Sequence, residues 1–258
     1  MLYRITCRQI SRFFHVTSSR HNFLALVCTG LQTVHGLGIP WWATIPLATL
    51  FLRTAMVPIV LWSRNRMIRY IYIKPLIQAW KCQIAKFDSI KSEKFSEKRS
   101  ELFRRYNCHP IGSAVLPFIQ FPLFLTMTFA LRGMSGWSIP LFPKSDIPMD
   151  VSLSYEGIVW MQDLTVPDPI GFLPVCLGLI NLINIELNTY FYKEMFFVPT
   201  FMTRFAQANA LIFIFVSMQA PIALCLYWTT SSLFSAAQNA VLNVIMPFPR
   251  SFMMRFKN

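Results

Sequence analysis

Residues 38–62 form an unbroken apolar stretch with a single charged side chain, Arg53. About 20 apolar residues cross a hydrocarbon core about 30 Å thick, so this stretch predicts a membrane-spanning helix. Four more apolar stretches follow along the chain, at residues 111–131, 170–192, 205–218 and 221–246. With 54% hydrophobic and only 14% charged residues, the 258-residue sequence predicts an all-α polytopic membrane protein with five transmembrane helices.

The N-terminal 37 residues are basic and contain no acid. On a helical wheel Arg4, Arg8 and Arg12 share one side, and the apolar Leu2 lies on the other. An arginine-rich, acid-poor amphipathic start is typical of a mitochondrial transit peptide. We therefore interpret residues 1–37 as a targeting presequence and N-terminal tail. A basic membrane-proximal tail of a bacterial protein is the alternative.

The connections between the apolar stretches differ in charge. Residues 63–110 hold twelve Lys or Arg against four acids, whereas residues 133–169 hold one basic residue and five acids. By the positive-inside rule, residues 63–110 should face the matrix and residues 133–169 the intermembrane space. The basic residues of the short tail 247–258 place the C-terminus in the matrix, as an N-out chain of five spans requires.

The basic connection is predicted to be a matrix-facing helical hairpin between helices 1 and 2. Leu76, Trp80 and Ile84 recur at helical spacing, and Leu102 and Phe103 follow after a charged, serine-rich turn. The hairpin either only enforces topology or, through its positive charge, meets anionic inner-membrane lipids or an emerging polypeptide.

Seven residues inside the predicted spans form the candidate functional site. Arg53 lies ten residues from the matrix end of the first span, which is about 15 Å deep. Gln120 lies nine residues into the second span, and Glu186 about six residues from the matrix end of the third. On the fifth span, spacing of i, i+3, i+7 and i+10 aligns four residues on one helical face: Trp228, Ser231, Ser235 and Gln238.

An arginine inside a bilayer is unfavourable by about 2.5–3.5 kcal/mol on insertion scales. We therefore interpret the seven residues as the lining of a substrate groove that is filled with water and open to the matrix. For Gln120, Ser231 and Ser235 the alternative is interhelical hydrogen bonding in a packed bundle. Glu186 is either the counter-ion of Arg53 or a second groove residue.

The sequence lacks the motifs expected of a metalloprotein, a nucleotide-dependent enzyme or a nucleic-acid-binding protein. The six cysteines include no CxxC pair, and Cys108-His109 has no second ligand pair, so no metal, cofactor or disulfide framework is expected. No nucleotide-binding G-x-x-x-x-G-K loop and no intramembrane Ser-His or paired-Asp arrangement occurs, so the chain is not expected to be an enzyme. No nucleic-acid motif accompanies the basic residues. A small-solute transporter stays an alternative, although the two halves show no repeat.

Four short motifs occur in order along residues 38–244. They are Leu52-Arg53-Thr54; Asn107-Cys108-His109-Pro110 with Leu116-Pro117-Phe118-Ile119-Gln120-Phe121-Pro122; Asp163-Leu164-Thr165-Val166-Pro167-Asp168-Pro169 with Phe172-Leu173-Pro174; and Leu226-Tyr227-Trp228. Together they resemble the YidC/Oxa/Alb family of membrane-protein insertases. Ile39-Pro40-Trp41-Trp42, Asn107-Cys108-His109-Pro110 and Asn184-Ile185-Glu186 look most like its mitochondrial branch, which exports the C-terminal tail of cytochrome c oxidase subunit 2 during assembly of that enzyme.

The resemblance implies a multi-pass insertase of the mitochondrial inner membrane with Arg53 as its groove arginine. It implies hydrophobic or tail-exporting membrane proteins as partners, with cytochrome c oxidase subunit 2 first among them, and helper proteins for assembly. Only about 12 residues follow the last span, too few for the long basic tail of the ribosome-binding branch, which implies post-translational export. An assembly scaffold that binds oxidase subunits without moving them is the alternative.

Overall fold

The computed structural model describes residues 24–84, 90–108, 110–138, 147–192 and 200–247. These residues form seven α-helices and one short 3-10 helix, Val151–Ser154, and they contain no β-strand. The helices are α1 (Leu24–His35), α2 (Trp41–Ile84), α3 (Ile90–Arg105), α4 (Pro110–Met134), α5 (Phe172–Tyr192), α6 (Thr200–Ser217) and α7 (Ile222–Ile245). The expected all-α fold is confirmed for this part of the chain.

Five of the helices contain long apolar segments. Two segments are long and apolar enough to cross a membrane, namely Trp41–Lys81 in α2 and Phe172–Tyr190 in α5. Shorter apolar segments lie in α1, α4 and α6, at Leu24–His35, Phe118–Met134 and Phe201–Ser217. Many large apolar side chains of these helices are exposed, which suits contact with lipid rather than water. These features are those of an all-α membrane protein; the count of five spans and the orientation stay predictions.

Three boundaries differ from the sequence prediction. α2 continues past Trp62 to Ile84, so the first arm of the predicted hairpin is a direct extension of the first apolar helix. α6 begins at Thr200, before the predicted start at residue 205. α1 occupies part of the predicted N-terminal tail. Residues 1–23 of the predicted presequence and residues 248–258 of the predicted C-terminal tail lie outside the described residues.

The described residues divide into two compact units. Unit 1 comprises those within Met1–Leu52, Pro122–Asn181 and Asn209–Phe234, and unit 2 those within Arg53–Phe121, Leu182–Ala208 and Ser235–Asn258. The helices α2, α4, α5, α6 and α7 each contribute one segment to each unit.

The core of unit 1 is apolar and nearly closed to solvent. Trp41 from α2, Leu131 from α4 and Leu224 from α7 are almost completely buried in it. Cys28 and Leu31 from α1 pack into the same core. α1 is therefore part of the folded unit, while the assignment of residues 1–37 to a targeting presequence and N-terminal tail stays a prediction.

The connection between α4 and α5 is folded against unit 1 where the structure describes it. The backbone N–H of Trp41, at the first position of α2, donates to Glu156 Oε2 (3.1 Å). The indole Nε1–H of the same residue donates to Ser152 Oγ, and the ring stacks on His35. The Glu156 carboxylate accepts from an amide that has no partner within the helix. Its negative charge also interacts favourably with the positive N-terminal end of the helix dipole. We call this group, Trp41 with His35, Ser152 and Glu156, the α2 clasp.

A tight turn projects from the same connection. Backbone bonds join Gly157 to Gln162 and Ile158 to Met161, which leaves Val159 and Trp160 at the two central positions. A Cβ on Gly157 would lie 1.7 Å from the Met161 carbonyl oxygen, so only glycine fits there. Val159 has a φ of +52°, a left-handed conformation that is unfavourable by roughly 1–2 kcal/mol for an L-residue and rare for a β-branched one.

In unit 2, the extension of α2 packs against α3 through a small apolar cluster. Ile73, Phe103 and Cys108 are buried there. Asn107 adopts a φ of +48° just after α3, and the Cys108 N–H donates to the Phe103 carbonyl, as in a helix C-cap. Burial raises the pKa of the Cys108 thiol, and the nearby cations of Arg69 and Arg66 act in the opposite direction. Cys108 is thus a packing residue at a capped helix end.

Candidate functional site

Five of the seven predicted groove residues belong to unit 2: Arg53, Gln120, Glu186, Ser235 and Gln238. Arg53, Gln120, Ser235 and Gln238 are each partly buried, and Glu186 is exposed. Four helices supply them, so unit 2 gathers polar side chains from α2, α4, α5 and α7. Trp228 and Ser231 belong to unit 1.

Arg53 lies in the middle of the apolar part of α2. It follows Trp42 by 11 residues and precedes Trp62 by nine, so the two tryptophans are about 30 Å apart along the helix axis. That distance equals the thickness of a bilayer core, and tryptophan favours both membrane interfaces. The Arg66 guanidinium lies 4.0 Å from the Trp62 ring centre, a pairing suited to the headgroup region. Arg53 therefore falls near the midplane of any bilayer that α2 crosses.

The backbone next to Arg53 is also polar. Pro58 lies inside α2 and has no N–H, so the Thr54 carbonyl lacks its usual donor four residues on. Thr54 is exposed. The Thr54 carbonyl and the Arg53 guanidinium thus place an acceptor and a cation on one turn of the helix.

Glu186 makes its observed hydrogen bond with α6. Gln207 Nε2 donates to Glu186 Oε1 in a very short contact, and Arg204 Nη1 donates to Gln207 Oε1 (3.4 Å). The three side chains form a polar chain that joins α5 to α6. Pairing of Glu186 with Arg53 stays a prediction.

The end of α7 is held by an arginine from α2. Arg64 is only 6% exposed. Its Nη2–H donates to Asn243 Oδ1 and to the Met246 carbonyl (3.0 Å), and its Nε–H donates to the same carbonyl (3.2 Å). A cation is favourable here because the C-terminal carbonyls of a helix carry partial negative charge. Arg64 thereby fixes α7, the helix that carries Ser235 and Gln238, to α2.

Gln238 has a buried amide nitrogen without a hydrogen-bond partner among the residues that the structure describes. Buried side-chain amides are normally hydrogen-bonded to protein or to water. Such a donor in unit 2 therefore favours a place that water or a bound polypeptide can reach.

In unit 1, Trp228 and Ser231 are buried. The indole N–H of Trp228 donates to Thr128 Oγ1 of α4 (3.2 Å), and the ring packs on Phe213 of α6. The contacts of Trp228 therefore join α7 to α4 and α6. The assignment of the two residues to a groove stays a prediction.

Sequence reasoning did not single out Arg64, Gln207 or Asp168. In the sequence, Arg64 is one of the basic residues of the predicted hairpin. Gln207 is a polar residue within an apolar helix. The same signal identifies Gln120 and Glu186, so it could also have identified Gln207. Asp168 is buried and accepts from the Ile170 and Leu173 amides at the start of α5, and its sequence signal is the Asp-Pro pair two residues before a glycine.

An apolar helical fold with an arginine near the middle of a membrane-length helix, and further polar side chains in the same compact unit, is that of a membrane protein with a candidate functional site inside the bilayer. The chain belongs to the family described as 60Kd inner membrane protein, the YidC/Oxa1 family, whose sequence model matches residues 32–248. The family resemblance inferred from the sequence motifs is confirmed.

The chain is similar to several mitochondrial proteins. The cytochrome c oxidase assembly protein cox18 of Schizosaccharomyces pombe is 32% identical over 232 residues, which cover 84% of this chain and 100% of that protein. The COX18 protein of Pongo abelii is 31% identical, over 80% of this chain and 66% of its own length. The mitochondrial inner membrane protein OXA1 of Arabidopsis thaliana is 28% identical, over 80% of this chain and 46% of its own length. The chain thus spans the whole fission-yeast relative and about two thirds or less of the other two.

Proposed function

We propose that this chain is an insertase of the mitochondrial inner membrane that supports assembly of cytochrome c oxidase. Its cargo is a hydrophilic, preferably acidic segment such as the C-terminal tail of subunit 2, which it moves to the intermembrane space. The names of its relatives, which place them in mitochondria and in oxidase assembly, support this proposal. The single observation that carries it is the position of Arg53, halfway between two tryptophans on a helix of membrane length.

Arg53 lowers the barrier for an acidic segment. Two opposite charges 4 Å apart attract by about 1 kcal/mol in water and by more where less water is present. The side chain is only partly buried, so a passing carboxylate can approach it. Each negative charge that moves outward across the membrane also gains about 2.3 kcal/mol per 100 mV when the matrix is negative. The membrane potential therefore supplies a driving force that needs no nucleotide.

Other residues of unit 2 assist at defined points. The basic extension of α2 and α3 attracts the segment from the matrix, where the C-terminus also lies in the proposed topology. The Thr54 carbonyl, which lacks its usual donor at Pro58, and the Gln238 amide offer an acceptor and a donor to its backbone. Gln120, Glu186 and Ser235 complete the proposed wet lining.

The decisive experiment compares clients that differ only in charge. Arg53→Ala should reduce export of an acidic tail by at least roughly fivefold, the equivalent of about 1 kcal/mol. Export of a neutral tail of the same length should fall much less, and Arg53→Lys should retain most export of both. Arg69→Ala removes an exposed arginine of the basic α2 extension, outside residues 38–62, and should reduce export of the acidic tail less than Arg53→Ala does. Equal loss of both clients in Arg53→Ala would refute the electrostatic role.

Water access to unit 2 can be measured separately. In a chain without native cysteines, Gln120→Cys and Glu186→Cys should react with a membrane-impermeant thiol reagent added from the matrix side. Thr49→Cys is the control, since Thr49 is only 1% exposed, is not among the predicted groove residues and should not react. Absence of labelling at both test positions in folded protein would exclude a groove open to the matrix.

An assembly scaffold without translocation is the second candidate, and the word assembly in the relatives' names favours it. A scaffold keeps its partners when Arg53 is replaced, because binding does not need a charge at mid-membrane. Co-purification of oxidase subunits with the Arg53→Ala chain at normal yield, together with normal tail export, would select the scaffold. Retained binding with lost export would select the insertase.

A further inference from the structure

The turn at Val159 and Trp160 presents apolar side chains to the outside of unit 1. Val159 is 69% exposed, and Trp160 is also exposed. No charged residue lies between Gly157 and Gln162. The two flanking acids are turned elsewhere, because Glu156 accepts from Trp41 and Asp163 accepts from the Thr165 N–H and hydroxyl. The tip of the turn is therefore both apolar and uncharged.

Valine is an unusual residue for the backbone conformation at position 159. The first central position of a two-residue turn with positive φ is normally glycine, because glycine alone has no Cβ to clash. Val159 occupies that position with a φ of +52°. An exposed valine there is disfavoured by its backbone and by water alike, and an apolar contact outside the chain would offset the second of these costs.

The position of Trp160 identifies that contact. Its ring packs edge to face on Phe172, the first residue of α5, with the ring centres 5.7 Å apart. Phe172 also begins the segment Phe172–Tyr190 that is long and apolar enough to cross a membrane. Along α5 the exposed residues Phe172, Val175 and Leu179 follow one face. The turn thus continues the lipid-facing surface of α5 at the level where that helix enters the bilayer.

We propose that the turn is an interfacial anchor, which inserts Val159 and Trp160 into the headgroup region of the leaflet at the start of α5. Tryptophan favours this region because its ring is apolar and its N–H can remain hydrated. The anchor would fix the depth of the connection between α4 and α5, and through the α2 clasp the outer end of α2. Its partner is the lipid surface and not a second protein.

Spin labelling of the full chain in phosphatidylcholine vesicles tests this anchor directly. In a chain without its six native cysteines, a nitroxide is placed at Val159→Cys or at Gln162→Cys, an exposed polar residue of the same turn. We expect the ratio of collisions with oxygen to collisions with a water-soluble nickel chelate to be higher at position 159. Equal ratios, or protection from both reagents as in a protein interface, would overturn the proposal.

Tryptophan fluorescence provides a second test with the native cysteines retained. Lipid brominated near the glycerol end of its chains should quench wild type more than Trp160→Phe, the difference being the share of one tryptophan among seven. Trp137→Phe, which removes a ring packed against the unit 1 core, should leave the quenching by lipid unchanged. Unchanged quenching in Trp160→Phe would overturn the anchor. Neither measurement needs a client, so its outcome is independent of tail export.

Discussion

Replacement of Arg64 should be among the most destabilising changes in unit 2. A hydrogen bond from a charged donor contributes about 1.5–3 kcal/mol net. Arg64 serves two acceptors, Asn243 Oδ1 and the Met246 carbonyl, so the lower limit is about 3 kcal/mol. We therefore expect Arg64→Ala to lower the free energy of unfolding by about 3 kcal/mol, or about 100-fold in the ratio of folded to unfolded protein.

The assay is reversible unfolding in mixed micelles with an increasing fraction of SDS, followed by tryptophan fluorescence. Arg66→Ala removes the same charge two residues further on and should lower the free energy by only about 0.5–1 kcal/mol, since Arg66 stacks on Trp62. The loss in free energy of unfolding for Arg64→Lys should lie between those two values. Lysine keeps the positive charge but cannot donate to both acceptors from a planar guanidinium. A double-mutant cycle with Asn243→Ala should show coupling. An Arg64→Ala chain as stable as Arg66→Ala would refute the reasoning.

Four further substitutions can be measured in the same unfolding assay. Gly157→Ala should strongly destabilise unit 1, since the new Cβ would meet the Met161 carbonyl, whereas Gly30→Ala, in open space within α1, should stabilise by about 0.5–1 kcal/mol. Asp168→Ala should lower stability by about 1 kcal/mol through loss of the α5 cap. The raised pKa of Cys108 means that the unfolded chain loses its thiol proton first, so stability should fall as pH rises above 9.0, and Cys108→Ala should make this fall smaller.

The sequence predicts much of the helical fold because long apolar stretches have few alternatives. α4, α5 and α7 begin and end within three residues of the predicted stretches. The extension of α2 to Ile84 is not visible as an apolar stretch, because residues 63–84 are rich in Lys and Arg and contain Pro75. The sequence does not predict α1 as a folded helix, because a basic, acid-free N-terminus has the composition of a targeting peptide. Only tertiary packing distinguishes Cys28 and Leu31 from such a peptide.

Some residues of the candidate site can be predicted from the sequence, whereas their tertiary contacts cannot. Arg53, Gln120 and Glu186 can be found in the sequence because each is polar within an apolar stretch. Helical periodicity aligns Trp228 with Gln238, but it cannot show that Trp228 is buried in unit 1. Arg64 contacts α7 through Asn243, which lies 179 residues further along the chain. Spacing within a single sequence does not predict a contact between residues so far apart.

The α2 clasp joins residues that are 115 positions apart, so it also has a bearing on the order of folding. Closing a loop of that length is less favourable than closing one of ten residues by about 2 kcal/mol of chain entropy. Local helices can form long before Glu156 arrives at the first turn of α2. This junction is therefore a late step on the folding route, and it is where a stalled intermediate would fray first.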